Sequence, residues 1–223
     1  MPLLDPEEHP FLEVDHVGIA VCKTGEPDQR HVGFIYATDD ASRTYCDLAW
    51  HLMLRFLDDP TPRPHWALSK LYWHELAMEE KNRKIVAAFL ISLRTEDNHI
   101  PYGIDVVGPC FSSDGTYIPQ PDGRGMTCAT FVMQVYKSLE FGLIDESIWP
   151  VRDDDKAWQA AIIQHLKAAS NPPSERHIEL MESDIGCLRF RPEEVAAATQ
   201  HPDRPVTFEQ CLEMAEQIKN LCA

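Results

Sequence analysis

The residue in this sequence best placed for chemistry is Cys128, which lies in a segment that is predicted to form a buried helix. Apolar residues recur every three or four positions from Cys128 to Leu139, which is the spacing of one helical face. The Thr127 hydroxyl can cap the first amides, and Gly142 marks the predicted end. Cys128 then lies in the first turn, where the positive end of the helix dipole favours a thiolate, which is a nucleophile. The other interpretation is that Cys128 only begins the apolar face, because free cysteine is often buried.

A cysteine nucleophile requires a base that takes its proton and a third group that orients the base. His31 begins a predicted strand, and Asp47 and His51 share one face of the next antiparallel strand because side chains alternate. If the turn between these strands is near 39–42, the residue that faces His31 lies between Asp47 and His51. Asp47 would hold the imidazole as an anion, and His51 would hold it as a neutral acceptor.

His16 is a second candidate for the base. Its third residue would lie near the end of the following strand, where Asp39 is available. The remaining histidines show no helical i, i+4 pairing, and the seven cysteines contain no C-x-x-C motif, so no metal site is predicted.

Three runs rich in β-branched and aromatic residues predict an antiparallel meander that carries these candidates. The strands are predicted at 14–22, 31–37 and 44–54. Prolines at 60, 62 and 64 predict a loop after the third strand.

The rest of the chain is predicted to be mainly helical. Helices are predicted at about 76–93, at 153–166, from 192 and at 207–221. Residues 95–124 are predicted to form an irregular connection with one short strand at 102–107, and 177–190 is ambiguous between strand and helix. Together these elements predict an α+β fold in one domain, with a core at about 14–150 and a helical elaboration at about 151–223.

The charge balance excludes some classes of partner. The chain has 223 residues, with 36 acidic against 20 basic side chains and a formal net charge of -16. This balance argues against a nucleic-acid or membrane partner and favours a basic or neutral one, such as a basic protein.

The cysteine content and the N-terminal sequence bear on location. Seven cysteines without paired spacing fit reduced thiols in a cytoplasm. The acidic N-terminus lacks the features of a signal peptide, and no apolar run reaches about 18 residues. A cytoplasmic location is therefore predicted, or export by a route that needs no signal peptide.

Two blocks of sequence resemble a known family. The Thr-Cys-Ala-Thr-Phe-Val sequence at 127–132, followed by a helix, resembles the Asp-Cys-Ser-Gly-Phe/Leu-Val helix of NlpC-type papain-fold cysteine peptidases. The His-Val-Gly-Phe-Ile-Tyr sequence at 31–36 is similar to the His-x-Gly-Ile-Tyr strand of that family. The histidine precedes the cysteine, as in the circularly permuted members, which include amidases, acyltransferases and lipid-directed enzymes. The resemblance covers roughly 31–142, and Ala129-Thr130 replaces the family's Ser-Gly.

The resemblance implies a papain-like fold and a set of site residues. Cys128 would be the nucleophile, His31 the base, and Asp47 or His51 the third residue. Tyr117, and more weakly Tyr102, would line the site because a tyrosine upstream of the cysteine often does so in this family, and Thr127 would lie beside the nucleophile.

The expected reaction is acyl transfer on an amide bond of a peptide, an isopeptide or a peptidoglycan-like substrate, with no cofactor. The Cys128 backbone N–H would contribute to the oxyanion hole. A cysteine acyltransferase or thioesterase is an alternative. A third possibility is a non-catalytic papain-fold module with an acidic surface that binds a basic protein.

Overall fold

The fold is α+β, with an antiparallel sheet covered by helices. The computed structural model describes residues 3–25, 29–39, 41–60, 70–95, 98–121 and 124–222. The sheet has five strands in the spatial order β4-β3-β2-β1-β5. The strands are β1 (Val17–Lys23), β2 (Arg30–Ala37), β3 (Arg43–Trp50), β4 (Met53–Asp58) and β5 (Tyr72–Glu75). The predicted α+β class and the antiparallel meander are confirmed, whereas β5 was not foreseen.

Six α-helices lie in the described part of the chain. They are α1 (Glu80–Thr95), α2 (Cys128–Ser138), α3 (Asp153–Lys167), α4 (Glu175–Ser183), α5 (Pro192–Thr199) and α6 (Phe208–Leu221). The ambiguous segment after residue 177 therefore begins as part of a helix, which the Ser174 hydroxyl caps by accepting a hydrogen bond from the backbone N–H of His177.

Both faces of the sheet are buried along its three central strands, β3, β2 and β1. The residues of the helix-covered face include Val17, Ile19, Val21, Val32 and Phe34, and all five are fully buried. The residues of the other face form a smaller cluster that contains Val14, Ala20, Ile35, Tyr45 and Trp73. A sheet with two apolar faces gives β1 and β2 continuous buried runs, which explains why strict alternation is weak in their sequences.

Helix α2 packs on β2 and β3 through aromatic contacts. The ring of Phe131 meets Phe34 edge-on with centroids 6.1 Å apart, and Tyr136 stacks on Phe34 at 6.5 Å. The predicted buried helix is confirmed, but it ends at Ser138 rather than at Gly142. The chain leaves the helix earlier because Glu140 adopts a left-handed conformation with φ 59°.

The predicted third strand at 44–54 is wrong in one respect that matters for the site. It is two strands, β3 and β4, joined by a tight turn at His51 and Leu52, where Leu52 has φ 58°. Trp50 pairs with Met53 across this turn. A two-residue hairpin turn normally carries glycine, asparagine or aspartate, and the absence of these residues concealed the turn.

Other predicted boundaries also change. The predicted strand at 102–107 is absent from the described structure, where Tyr102 forms only an isolated bridge with Met126. Helix α1 begins at Glu80 instead of about 76, and most of the predicted loop at 60–64 lies outside the described residues. Helix α5, within the predicted C-terminal elaboration, packs against α2, β1 and β2.

Candidate active site

The N-terminus of α2 holds Cys128 in its first turn through a reciprocal cap. The Thr127 hydroxyl accepts a hydrogen bond from the backbone N–H of Thr130 at 3.2 Å, and the Thr127 N–H donates to the Thr130 hydroxyl at 2.8 Å. The predicted capping role of Thr127 is therefore confirmed. Thr130, which stands where the family has glycine, supplies the second half of this capping box. Cys128 is buried, with 8% of its surface exposed, and it lines the cavity described below.

The approach to α2 requires a glycine. A Cβ atom on Gly125 would lie only 1.8 Å from the carbonyl oxygen of Pro101. This close approach lets the backbone N–H of Met126 donate to Pro101 at 3.1 Å and the N–H of Gly103 donate to Met126 at 3.3 Å. The contact places Tyr102 beside the beginning of α2.

The imidazole of His31 and the backbone N–H of Val32 both lie close enough to the Cys128 sulfur to stabilise its thiolate. Burial tends to raise the pKa of Cys128, but the positive charge of His31 and these two donors outweigh it, so the pKa lies below its usual value. Burial likewise tends to lower the pKa of His31, but the negative charges of Cys128 and Asp47 raise it. Both shifts favour a thiolate–imidazolium pair.

Asp47 orients the imidazole of His31. Nε2 of His31 donates to Oδ2 of Asp47 at 2.6 Å, which leaves Nδ1 to face the Cys128 sulfur. The Asp47 side chain has no exposed surface. Burial tends to raise the pKa of Asp47, but the charges and hydrogen bonds of His31 and Arg55 lower it, so the carboxylate is ionised at neutral pH.

Arg55 extends this array, and the sequence did not reveal it. Arg55 is the cross-strand neighbour of Asp47 in the β3–β4 pair. Its Nε donates to Oδ1 of Asp47 at 2.8 Å, and its Nη2 donates to Oδ2. The pairing follows from the turn at 51–52, so recognising that turn would have placed Arg55 opposite Asp47.

His51 is bonded elsewhere than to His31. It lies in the β3–β4 turn, where its Nδ1 accepts a hydrogen bond from the backbone N–H of Tyr102 at 3.2 Å. Its ring lies 5.3 Å from that of His177. Burial, together with the charge of His177, lowers the pKa of His51 to about 4, so it is neutral at physiological pH. Of the two candidates, Asp47 is therefore the one that the structure brings to the imidazole of His31.

His16 lies at the opposite end of the sheet from the site. In the β1–β2 register, Val17 is opposite Tyr36 and Cys22 is opposite His31, which separates His16 from His31 by roughly 17–20 Å along the strands. Nε2 of His16 lies 3.4 Å from Asp15, and the carboxylate of Asp39 accepts hydrogen bonds from its own turn. His16 and Asp39 therefore do not form a base and its orienting partner beside Cys128.

A cavity of about 220 Å³ opens beside Cys128 and His31. Helix α3 contributes Trp158 and Ile162 to its wall, and the segment 189–193 leading into α5 contributes further residues. The C-terminal helices, which were predicted only as an elaboration, therefore complete the cleft.

The two tyrosine candidates exchange rank. Among the described residues that line the cavity, Tyr102 and Thr127 are present and Tyr117 is not. The hydroxyl of Tyr117 donates to the carbonyl of Arg124 at 3.3 Å, and its ring packs against Phe111. Tyr102 reaches the cavity because of the tight contact between Gly125 and Pro101.

Among the described residues, no group of three or more His, Cys, Asp or Glu side chains could hold a metal ion. None of the helices described is long and apolar enough to cross a membrane. All seven cysteines are free thiols.

Comparisons of the chain with protein-family models, with curated proteins and with solved structures find no match. Any function assigned to the chain therefore depends on the geometry around Cys128.

Proposed function

We propose that this protein is a cysteine hydrolase that cleaves an amide bond through a thioester intermediate, and that its fold is a permuted papain-like one. The observation that supports this most directly is the continuous array from Arg55 through Asp47 and His31 to the Cys128 sulfur, which ends at a cavity. A nucleophile, its base and an orienting carboxylate in hydrogen-bonded order are what acyl transfer requires.

In the first half of the reaction, the Cys128 thiolate attacks the carbonyl carbon and a C–S bond forms. The backbone N–H of Cys128, at the beginning of α2, donates to the developing oxyanion. The tetrahedral intermediate collapses, the C–N bond breaks, and the His31 imidazolium gives its proton to the leaving amine.

In the second half, neutral His31 takes a proton from water as the water oxygen attacks the thioester carbonyl. The new C–O bond forms, the C–S bond breaks, and the acid leaves. This step restores the thiolate and the imidazolium. Asp47 holds the ring orientation through both halves and stabilises the imidazolium, while Arg55 fixes the Asp47 carboxylate.

The family resemblance supports the same reaction because its two blocks supply the nucleophile and the base that meet in the structure. Free thiols fit action in a reducing compartment such as the cytoplasm, or after export without a signal peptide. Amide hydrolysis is the version we adopt, and an acceptor other than water would make the same site an acyltransferase.

Acylation of Cys128 by an activated ester such as p-nitrophenyl acetate tests the proposal. We expect rapid acetylation of Cys128, detected by peptide mass spectrometry as a hydroxylamine-sensitive adduct, followed by turnover. His31→Ala should slow acylation about a hundredfold, within the range of general-base effects. Asp47→Asn should slow it by a smaller factor while leaving the thiol in place.

Iodoacetamide labelling across pH reports the pKa of Cys128. In the wild type, Cys128 should still be labelled rapidly below about pH 8.5, the usual pKa of a thiol. His31→Ala should raise the pH at which labelling becomes rapid, because burial then raises the pKa of Cys128 without the opposing charge of His31. Slow, uniform labelling of all seven cysteines, with no ester turnover, would contradict the hydrolase and favour the non-catalytic module.

A further inference from the structure

Glu193 is a nearly buried carboxylate in the wall of the cavity that Cys128 occupies. It is 8% exposed and lies in the first turn of α5. Among the described residues it makes no ion pair, and the group that most lowers its pKa is its own backbone N–H. A buried carboxylate without a cationic partner is costly, so Glu193 stands to gain from a cation that enters the cavity.

The adjacent Glu194 shows what a structural carboxylate looks like at this helix start. Its oxygens accept hydrogen bonds from both Nη atoms of Arg152, and one of them also accepts the backbone N–H of Arg191 at 2.9 Å. Glu194 thus completes the cap of α5.

The cationic side chains around the cavity do not satisfy Glu193. Arg189 donates to Asp155 at 2.8 Å, and its guanidinium lies 3.7 Å from the centre of the Trp158 ring. Arg30 donates to the backbone carbonyl of Lys219 at 3.0 Å. Burial raises the pKa of Glu193 even though the charges of Arg30 and Arg189 act to lower it.

We propose that the cavity selects amide substrates with a lysine or arginine side chain beside the scissile carbonyl, and that Glu193 recognises its cationic group. The substrate class rests on the proposed hydrolase, since it names what that site cleaves. Trp50, Trp158 and Ile162 line the same cavity and offer apolar surface to the aliphatic stem of such a side chain. The net charge of -16 draws basic peptides towards the protein.

Charged thiol reagents measure the preference of the cavity without requiring catalysis. Methanethiosulfonates react with a thiolate to form a disulfide and release methanesulfinate, and they exist with trimethylammonium, neutral and sulfonate groups. Rates at Cys128 are measured by peptide mass spectrometry and divided by the rates for free glutathione. In the wild type, we expect the corrected rate for the cationic reagent to exceed that for the anionic reagent about tenfold, the effect of one charge-assisted contact.

Glu193→Gln should remove most of this preference, measured as the ratio of the cationic to the anionic rate, and Glu193→Lys should reverse it. Glu179→Gln is the matched control, because it makes the same change of charge at an exposed position of α4. A preference that persists in Glu193→Gln would overturn the assignment. A wild-type preference for the anionic reagent would also overturn it and would assign the cavity to Arg30 instead.

Peptide binding to the Cys128→Ala variant tests the substrate class directly. Two acetylated peptide amides are compared by calorimetry, one with lysine and the other with norleucine at the same position. The lysine peptide should bind about tenfold more tightly, and adding Glu193→Gln should abolish the difference. Equal affinities would contradict the proposed substrate class. Failure of the ester to acylate Cys128, with the charge preference intact, would refute the hydrolase and leave a pocket for basic side chains.

Discussion

Nε2 of His31 and Oδ2 of Asp47 lie 2.6 Å apart on neighbouring strands, and this hydrogen bond determines which ring nitrogen faces Cys128. The two residues are 16 positions apart in the chain, and the β2–β3 hairpin brings them together. Asp47 also accepts both hydrogen bonds from Arg55, so the orientation of the base depends on three consecutive strands.

Replacing Arg55 with methionine should destabilise the fold more than an ordinary ion-pair deletion. The change leaves the fully buried Asp47 carboxylate with one partner fewer, and losing one side of a buried pair costs about 3–5 kcal/mol. Arg94→Met is the control, because the Arg94–Asp58 pair is exposed and such pairs contribute about 1 kcal/mol or less. Urea unfolding measures both variants, and equal losses would contradict a special role for Arg55.

Arg55→Lys separates the effect of Arg55 on the position of the Asp47 carboxylate from its effect on the stability of the fold. Lysine keeps the charge but cannot donate two parallel hydrogen bonds to one carboxylate. We expect most of the stability to return while iodoacetamide labelling of Cys128 at neutral pH stays several-fold slower than in the wild type. If labelling recovers fully with stability, Arg55 acts on the fold alone.

Gly33→Ala should disturb the site through the backbone of β3. A Cβ atom at position 33 would lie 2.6 Å from the carbonyl oxygen of Cys46 and 2.8 Å from Cβ of Asp47. Neither atom can move without shifting β3, so we expect a loss of about 1–3 kcal/mol in unfolding free energy and slower labelling of Cys128.

Gly25→Ala is the matched control for this change. A Cβ atom at Gly25 meets no atom of the described residues within 4 Å, so the substitution should leave both the stability and the labelling rate unchanged, or raise the stability slightly. Equal behaviour of the two variants in urea unfolding and labelling would show that β3 tolerates the added atom and that Gly33 has no part in placing Asp47.

The stability of the protein should fall as the pH drops below about 6.5, partly because of His74. Burial lowers the pKa of His74 to about 3, and its Nε2 pairs with the Thr199 hydroxyl at 2.8 Å. Below the unfolded pKa of about 6.5, the unfolded chain binds a proton that the native ring does not, so stability is lost towards pH 3. Between pH 6.5 and 5 this residue should contribute a loss of about 2 kcal/mol.

Urea unfolding at pH 7 and pH 5 measures this loss, and His74→Gln should reduce the difference between the two conditions. The pKa of His51 is lowered to about 4 by burial and by the charge of His177, so this residue also makes stability fall with pH. Part of the pH dependence of the unfolding free energy should therefore remain in His74→Gln. An unchanged pH dependence in His74→Gln would show that folding does not lower the pKa of His74, so that the native protein binds this proton as readily as the unfolded chain.

Local patterns in the sequence were sufficient to single out the proposed nucleophile and its proposed base. The three-to-four spacing after Cys128 and the capping hydroxyl of Thr127 depend on neighbours within one helical turn, and both features are present in α2. The strand that carries His31 was equally readable, because β-branched and aromatic residues dominate it.

Only the tertiary structure shows which candidate side chain contacts His31 and which residues form the walls of the cleft. Asp47 rather than His51 contacts His31 because the chain reverses at Leu52, and the same reversal brings in Arg55. Register, turn position and helix docking depend on contacts between residues far apart in the chain, which periodicity within a short window does not encode. For the same reason the sequence could supply Cys128 and His31, while only the packing of α3 and α5 against them could make a cavity and place Glu193 in it.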